Sequence, residues 1–197
     1  MANISDEDKR NSNVTKFDKV YILDTNIILN DAKNIFKIME EGKNLVVLPE
    51  TTLDEIDSKK SGFNEINFQA REFARILSNA EILNSRMEDD LTITTVCLPP
   101  NTNRVLEIIS KDKYDIDKDT ERNIVNDRRI LVVAEACKKI YNENVDGKQE
   151  NIIFLSLDVM ARTRAISYNK VYMVISKVSV FYIKTSSNRK GSARVNI

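Results

Sequence analysis

The chain has 197 residues, 42% of them hydrophobic, with thirty basic and thirty acidic side chains and a formal net charge of zero; that length supports one sizeable core and makes two domains a squeeze. It has no histidine, which excludes His-based triads, histidine general bases and HExxH zinc sites. Its four glycines are too scattered for a dinucleotide or nucleotide phosphate loop, and Cys97 and Cys137 have no CxxC partner, so neither a zinc site nor a disulfide framework is expected.

Residues 1–17 are polar and aperiodic and read as a loose N-terminal arm. Val20 to Leu23 has the apolar, β-branched and aromatic character of a short strand buried on both faces. Asp24-Thr25-Asn26 interrupts it. Asp31 fits the N-cap of a helix whose apolar face is Ile35, Phe36, Ile38 and Met39, ending near Gly42. Leu45 to Leu48 is a second buried strand, and Pro49 suits the first turn of a helix reaching about Lys60, with Leu53 and Ile56 inward. Gly62 breaks that helix. A longer one is predicted from Asn64 to about Met87, with Phe68, Ala70, Phe73, Ile76, Leu77, Ala80 and Leu83 inward and Glu88-Asp89-Asp90 closing it.

Leu91 to Leu98 is the third strand, stopped by Pro99-Pro100. Residues 101–119 read as a short helical stretch, Val105 to Ile109, followed by the charged loop KDKYDIDKD. A helix from about Thr120 to Tyr141, a turn at 142–149, a fourth strand from Asn151 to Leu157 closed by Asp158, a short helix from Val159 to Tyr168 and a fifth strand from Val171 to Ile175 complete the pattern. Beyond Ser176 the tail at 177–197 carries Lys177, Lys184, Arg189, Lys190 and Arg194 and no acid. One domain over residues 18–176 is therefore expected. Its βαβα order, with crossovers too long for hairpins, implies a parallel sheet covered by helices on both faces. No apolar run approaches the roughly 20 residues that span a bilayer, and the polar MANISDEDKR start does not read as a secretory signal. A cytoplasmic setting with no membrane partner is expected.

Asp24 and Asp158 each end a buried strand, and in a parallel sheet those ends share one edge, where ligands collect. Asp24 or Asn26 serves equally well as a cap for the next helix. Asp127 lies on the apolar stripe with Ile130, Leu131 and Ala134, an expensive place for a carboxylate unless it is paired or metal-bound. Alternatively the helix begins at Asn126 and Asp127 sits in its first turn. Glu55, with Asp54 and Asp57 close by, is either a fourth member or an exposed helix acid. Acids converging on a sheet edge without histidine or cysteine suit Mg²⁺ or Mn²⁺, hard cations that prefer oxygen ligands. Such ions activate water for in-line attack on a phosphodiester.

Four stretches, YILDTNIILND, LVVLPETTLDEID, NDRRIL and IIFLSLDVMARTRA, occur in an order and at separations that resemble the PIN domain of PhoH-like proteins over roughly residues 18–175. The resemblance implies a three-layer α/β/α fold with a central, mostly parallel five-stranded sheet. It places the family's acidic quartet on Asp24, Glu55, Asp127 and Asp158, with Asn26 and Ser156 supporting it. It implies a divalent-metal-dependent endoribonuclease of single-stranded RNA, assembled as a dimer or higher homo-oligomer. The alternative is a catalytically idle RNA-binding or dimerisation module of a PhoH-like ATPase. Family members with the PhoH portion continue into that ATPase, and no phosphate loop follows here. Lys59, Lys60, Arg128, Arg129 and Arg162, with Arg164 beside the last, each follow one of the acids within a few residues. Cations so placed would position RNA phosphates rather than read sequence.

Overall fold

The computed structural model describes residues 16–40, 42–99, 104–111, 122–141, 151–167 and 174–175. The N-terminal arm up to residue 15, the charged segment at 112–119, the turn at 142–149 and the basic tail at 177–197 lie outside the described residues. In chain order the elements are β1 (Lys19–Leu23), α1 (Thr25–Asn30), α2 (Asn34–Glu40), β2 (Asn44–Pro49), α3 (Glu50–Ser58), α4 (Glu65–Ser78) and β3 (Glu81–Glu88). They continue with β4 (Leu91–Cys97), β5 (Val105–Lys111), α5 (Arg122–Ile140), β6 (Ile152–Leu155), α6 (Val159–Ser167) and β7 (Val174–Ile175).

The strands form one sheet in the order β3-β4-β5-β2-β1-β6-β7. Pairing is parallel from β5 through β2, β1 and β6 to β7. It is antiparallel where β3 and β4 extend the sheet beyond β5. Alternation along each strand divides the core between the two faces. Val20, Ile22, Val47 and Phe154 pack under Ile130, Leu131 and Ala134 of α5 and Ala161 and Ala165 of α6. Tyr21, Leu23, Val46 and Leu48 pack under Ile27, Ile28, Ile35, Ile38 and Ile56 of α1, α2 and α3, with Ala70 and Phe73 of α4. The architecture is the expected three-layer α/β/α arrangement with a mostly parallel sheet.

Among the described residues the sheet has seven strands rather than five. The predicted helix from Asn64 to Met87 stops at Ser78, and residues 81–88 form β3. Asn79 ends α4: its N–H reaches back to Ile76 O and its side chain to Arg75 O at 2.9 Å. Ile82 and Leu83, which matched a helical stripe, are exposed on the edge strand. Of the acidic trio, Glu88 ends β3 and Asp89 and Asp90 form the turn of a hairpin, with Asp89 at φ 53°, a conformation that Asp tolerates better than most side chains. The predicted helical stretch at Val105–Ile109 is strand β5, where β-branched residues pair with both β2 and β4.

One buried acid ties this antiparallel extension to the helical layer. Glu107 of β5 accepts hydrogen bonds from Arg86 Nη1 at 2.8 Å, Thr95 Oγ1 at 3.0 Å and the Tyr141 hydroxyl just beyond α5. A buried carboxylate is tolerated only when its oxygens are satisfied, and here donors from β3, β4 and the residue that follows α5 do so. Tyr141→Phe is expected to lower unfolding free energy in urea by about 2 kcal/mol, the scale of a hydrogen bond to a charged group. Ser85→Ala on the exposed face of β3 should leave the midpoint unchanged.

Candidate active site

The site is built from the point where β1 ends. Register pairs Leu23 with Leu155, so Asp24 and Ser156 emerge side by side from adjacent parallel strands. The Asp24 N–H donates to Leu155 O at 3.0 Å, which extends the ladder by one bond. The carboxylate then accepts from Thr25 N at 2.7 Å, from the Asn26 carboxamide and from the Ser156 hydroxyl. Asn26 in turn accepts from Leu157 N at 2.7 Å, and the Ser156 hydroxyl accepts from Asp158 N at 3.0 Å. Asp24 therefore caps α1 and also faces the sheet edge; the two readings of its role are compatible. Only 5% of the residue is exposed and all three donors are neutral. Burial pushes its pKa up, the bonds from Ser156, Thr25 and Asn26 oppose that, and the charge of Glu55 adds to it.

Glu55 is the acid of α3 that turns towards this edge. It accepts from the Thr25 hydroxyl and from Asn126 Nδ2 at 2.7 Å. Its competitors Asp54 and Asp57 are exposed, and Asp57 pairs with Lys60. Thr52 Oγ1 donates to Leu23 O at 3.1 Å, which fixes α3 against the end of β1. Thr25 and Asn126 are therefore part of the constellation, although sequence reasoning passed over both. Their one sequence signal is adjacency to Asp24 and Asp127.

Asp127 lies well inside α5, which is helical from Arg122 onward, so the first-turn alternative falls. Its half-buried carboxylate accepts from the Arg164 guanidinium of α6. Burial pushes its pKa up to about 6; Arg164 pulls it down, while the charges of Asp24, Asp158 and Glu55 raise it further. These three acids come from three different parts of the chain, yet all act on this carboxyl. Asp158 is exposed at the rim, where its Oδ1 accepts from Met160 N at 2.7 Å and caps α6.

The expected RNA-facing cations are not equivalent. Arg162 donates to the carbonyls of Ser156 and Leu157 at 3.3 and 3.4 Å, clamping the β6–α6 turn. Lys60 pairs with Asp57, Lys59 is exposed, and Arg128 and Arg129 are half-buried on α5. Cys97 and Cys137 are buried free thiols outside the site.

Oxygen is the only donor type the constellation offers, which fits a hard cation and no soft one. Among the described residues no three acids form a ready-made metal cage. An ion that keeps several waters and binds through one or two carboxylates, as Mg²⁺ does, requires none.

A family model described as PIN domain matches residues 21–170. This chain belongs to the PIN domain family. Protein PhoH2 of Bacillus subtilis (strain 168) is 30% identical to this PIN domain over 148 residues, which cover 75% of this chain and 30% of PhoH2. The chain thus spans about 30% of the length of that curated relative. PIN domains are generally nucleases and usually use divalent metals. No described helix is long and apolar enough to cross a membrane.

The raised Asp127 carboxyl has a consequence for stability. Because the folded state holds its proton more tightly than the unfolded chain, its contribution is fully present below the unfolded value near 4 and is lost as pH rises through about 6. Asp127→Asn removes that loss. The free-energy difference between variant and wild type in urea, measured without divalent metal, should be more favourable at pH 7.5 than at pH 4. The expected gap is about 1 kcal/mol, after discounting for solvent screening at a half-buried group.

Proposed function

We propose that this PIN domain is a divalent-metal-dependent endoribonuclease of single-stranded RNA, with Asp24, Glu55, Asp127 and Asp158 as its metal-holding and catalytic acids. The observation that carries the reading is a chain of contacts along one sheet edge: Ser156 donates to Asp24 and accepts from Asp158 N, and Glu55 accepts from Thr25, next to Asp24, and from Asn126, next to Asp127. Mg²⁺ or Mn²⁺ bound here would supply an activated water and neutralise charge on the phosphodiester.

The chain's own residues do the rest. Asn26 and Ser156 hold the Asp24 carboxylate in one orientation, as a preorganised site requires. Thr25 and Asn126 do the same for Glu55, which is suited to orienting a water. Asp127, paired with Arg164 in this structure, and Asp158 at the rim would help to hold the ion. Lys59, Lys60, Arg128 and Arg129 are assigned to phosphate positioning, while Arg162 holds the turn that carries Ser156. The same reading includes self-association as a dimer or higher oligomer, and coupling to a PhoH-type ATPase wherever such a portion accompanies the domain.

Incubation with a mixed-sequence unstructured RNA should give fragments with Mn²⁺ or Mg²⁺ and none with EDTA. Asp24→Asn and Asp127→Asn should each slow cleavage at least about 100-fold, as expected when several kcal/mol of metal-borne stabilisation is lost, with circular dichroism unchanged. Undiminished cleavage by both variants rejects the assignment.

The catalytically idle RNA-binding module is favoured by one observation: Arg164 already neutralises Asp127. On that reading metal neither raises the melting temperature nor produces fragments, although RNA still binds in a salt-dependent way. On the enzyme reading, Arg164→Gln removes a competing cation and should lower the Mn²⁺ concentration needed for half-maximal thermal stabilisation.

A further inference from the structure

We propose that Phe63, on the turn between α3 and α4, is a stacking platform for an unpaired base of the RNA strand held at the carboxylate edge; this rests on the nuclease reading above. Phe63 is fully exposed and takes no part in either core layer. The turn that carries it is nevertheless tightly fixed. Asn67, itself buried, donates to Lys59 O at 2.7 Å, accepts from Asn64 N at 3.1 Å, and gives its own N–H to the Asn64 side chain at 2.9 Å. Arg71 Nη1 donates to the carbonyls of Lys60 and Gly62, both at 2.8 Å. Gly62 sits at φ +121°, and a Cβ there would lie 2.4 Å from Asn67 Oδ1, so only glycine fits. Two side chains and a glycine thus hold the turn in one shape, and that shape aims an aromatic ring into water.

Location and charge point to the occupant. Lys59 is the C-cap of α3 and follows Glu55 by four positions, about one helical turn. Between Lys59 and Arg71 the chain carries three cations and one acid, Glu65. A ring on a rigid turn that begins at an exposed lysine, directly after the helix that carries Glu55, matches how single strands are held without sequence readout. In that mode cations track the backbone and an aromatic face accepts whichever base arrives. Ile66 and Phe68, half-exposed in the first turns of α4, give a protein partner a competing foothold, which the experiment separates.

The chain contains no tryptophan, so Phe63→Trp introduces a single reporter. In EDTA, with the full chain and a ten-nucleotide unstructured RNA, that variant should bind within about twofold of wild type and its emission should be quenched on binding. Phe63→Ala should bind at least about tenfold more weakly, within the range of base–aromatic stacking. A strand of equal length with abasic sites should bind wild type and Phe63→Ala alike. Unquenched emission together with unchanged affinity of Phe63→Ala overturns the proposal. So does a dimer that Phe63→Ala converts to monomer in sedimentation while RNA affinity is unchanged, since the ring would then serve a protein contact. Because binding is read in EDTA, a chain that binds with quenching but never cleaves refutes the nuclease reading alone. Cleavage without quenching refutes the platform alone.

Discussion

The arrangement depends on one interaction: the bond between the Asp24 carboxylate and the Ser156 hydroxyl across the ends of β1 and β6. A buried carboxylate is costly unless its oxygens are satisfied. Here the satisfaction comes from neutral groups, which support the oxygens without cancelling the charge. Parallel register makes this possible, because pairing Leu23 with Leu155 delivers the next residue of each strand to the same place. Asn26 closes the arrangement by donating to Asp24 and accepting from Leu157 N. The side chains that anchor the charge therefore also anchor the turn into α6, and with it the helix that carries Arg164.

Two polar networks at opposite ends of α5 divide the work. At its N-terminal half Asn126 and Asp127 face the acids of the sheet edge. Just beyond its C-terminus Tyr141 meets Glu107, which also receives Arg86 and Thr95. At 1.5 Å per residue the two lie about 20 Å apart along the axis. The Glu107 network binds its charge to a partner of opposite sign and acts as a structural fastener. The Asp24 network leaves its charge uncancelled. That contrast, more than the number of acids, separates a stabilising buried carboxylate from one available to a ligand.

The parallel half of the fold was legible in the sequence because strands buried on both faces read as unbroken apolar runs, and four of the five predicted strands fall there. The antiparallel extension was legible only in part: Leu91 to Leu98 reads as a strand and is β4, but its partner β3 reads as helix. Residues 81–88 continue the apolar spacing of α4, and only Asn79, whose side chain reaches back to Arg75 O, marks the break. Val105 to Ile109 was misread because a short apolar run does not distinguish strand from helix by periodicity. Asp24 and Asp158 follow strand ends and Asp127 lies on the apolar stripe of α5, relations that spacing does encode, whereas Glu55 was picked out from Asp54 and Asp57 by the family resemblance alone; the structure links it to Thr25 and Asn126. Thr25 and Asn126 were missed because hydrogen bonds between remote side chains leave no periodic trace. Arg162 and Arg164 look like a pair in the sequence, but positions two apart on a helix do not face the same way. One accordingly clamps backbone carbonyls while the other meets Asp127.

The ion pair between Arg164 and Asp127 explains how so acidic an edge stays folded. Three further carboxylates act on Asp127, and its raised pKa means that deprotonation opposes folding at neutral pH. A guanidinium supplies one positive charge on a side chain long enough to withdraw, and the bond spans two helices rather than one rigid element. It offsets part of the repulsion without satisfying the Asp24 side of the cluster, whose donors remain neutral. The edge thus carries a residual charge imbalance that a dication of oxygen-preferring chemistry would relieve more completely than any side chain here can. The hydrophobic layers on both faces of the sheet and the Glu107 fastener lie apart from that rim and supply burial and paired hydrogen bonds that do not draw on it.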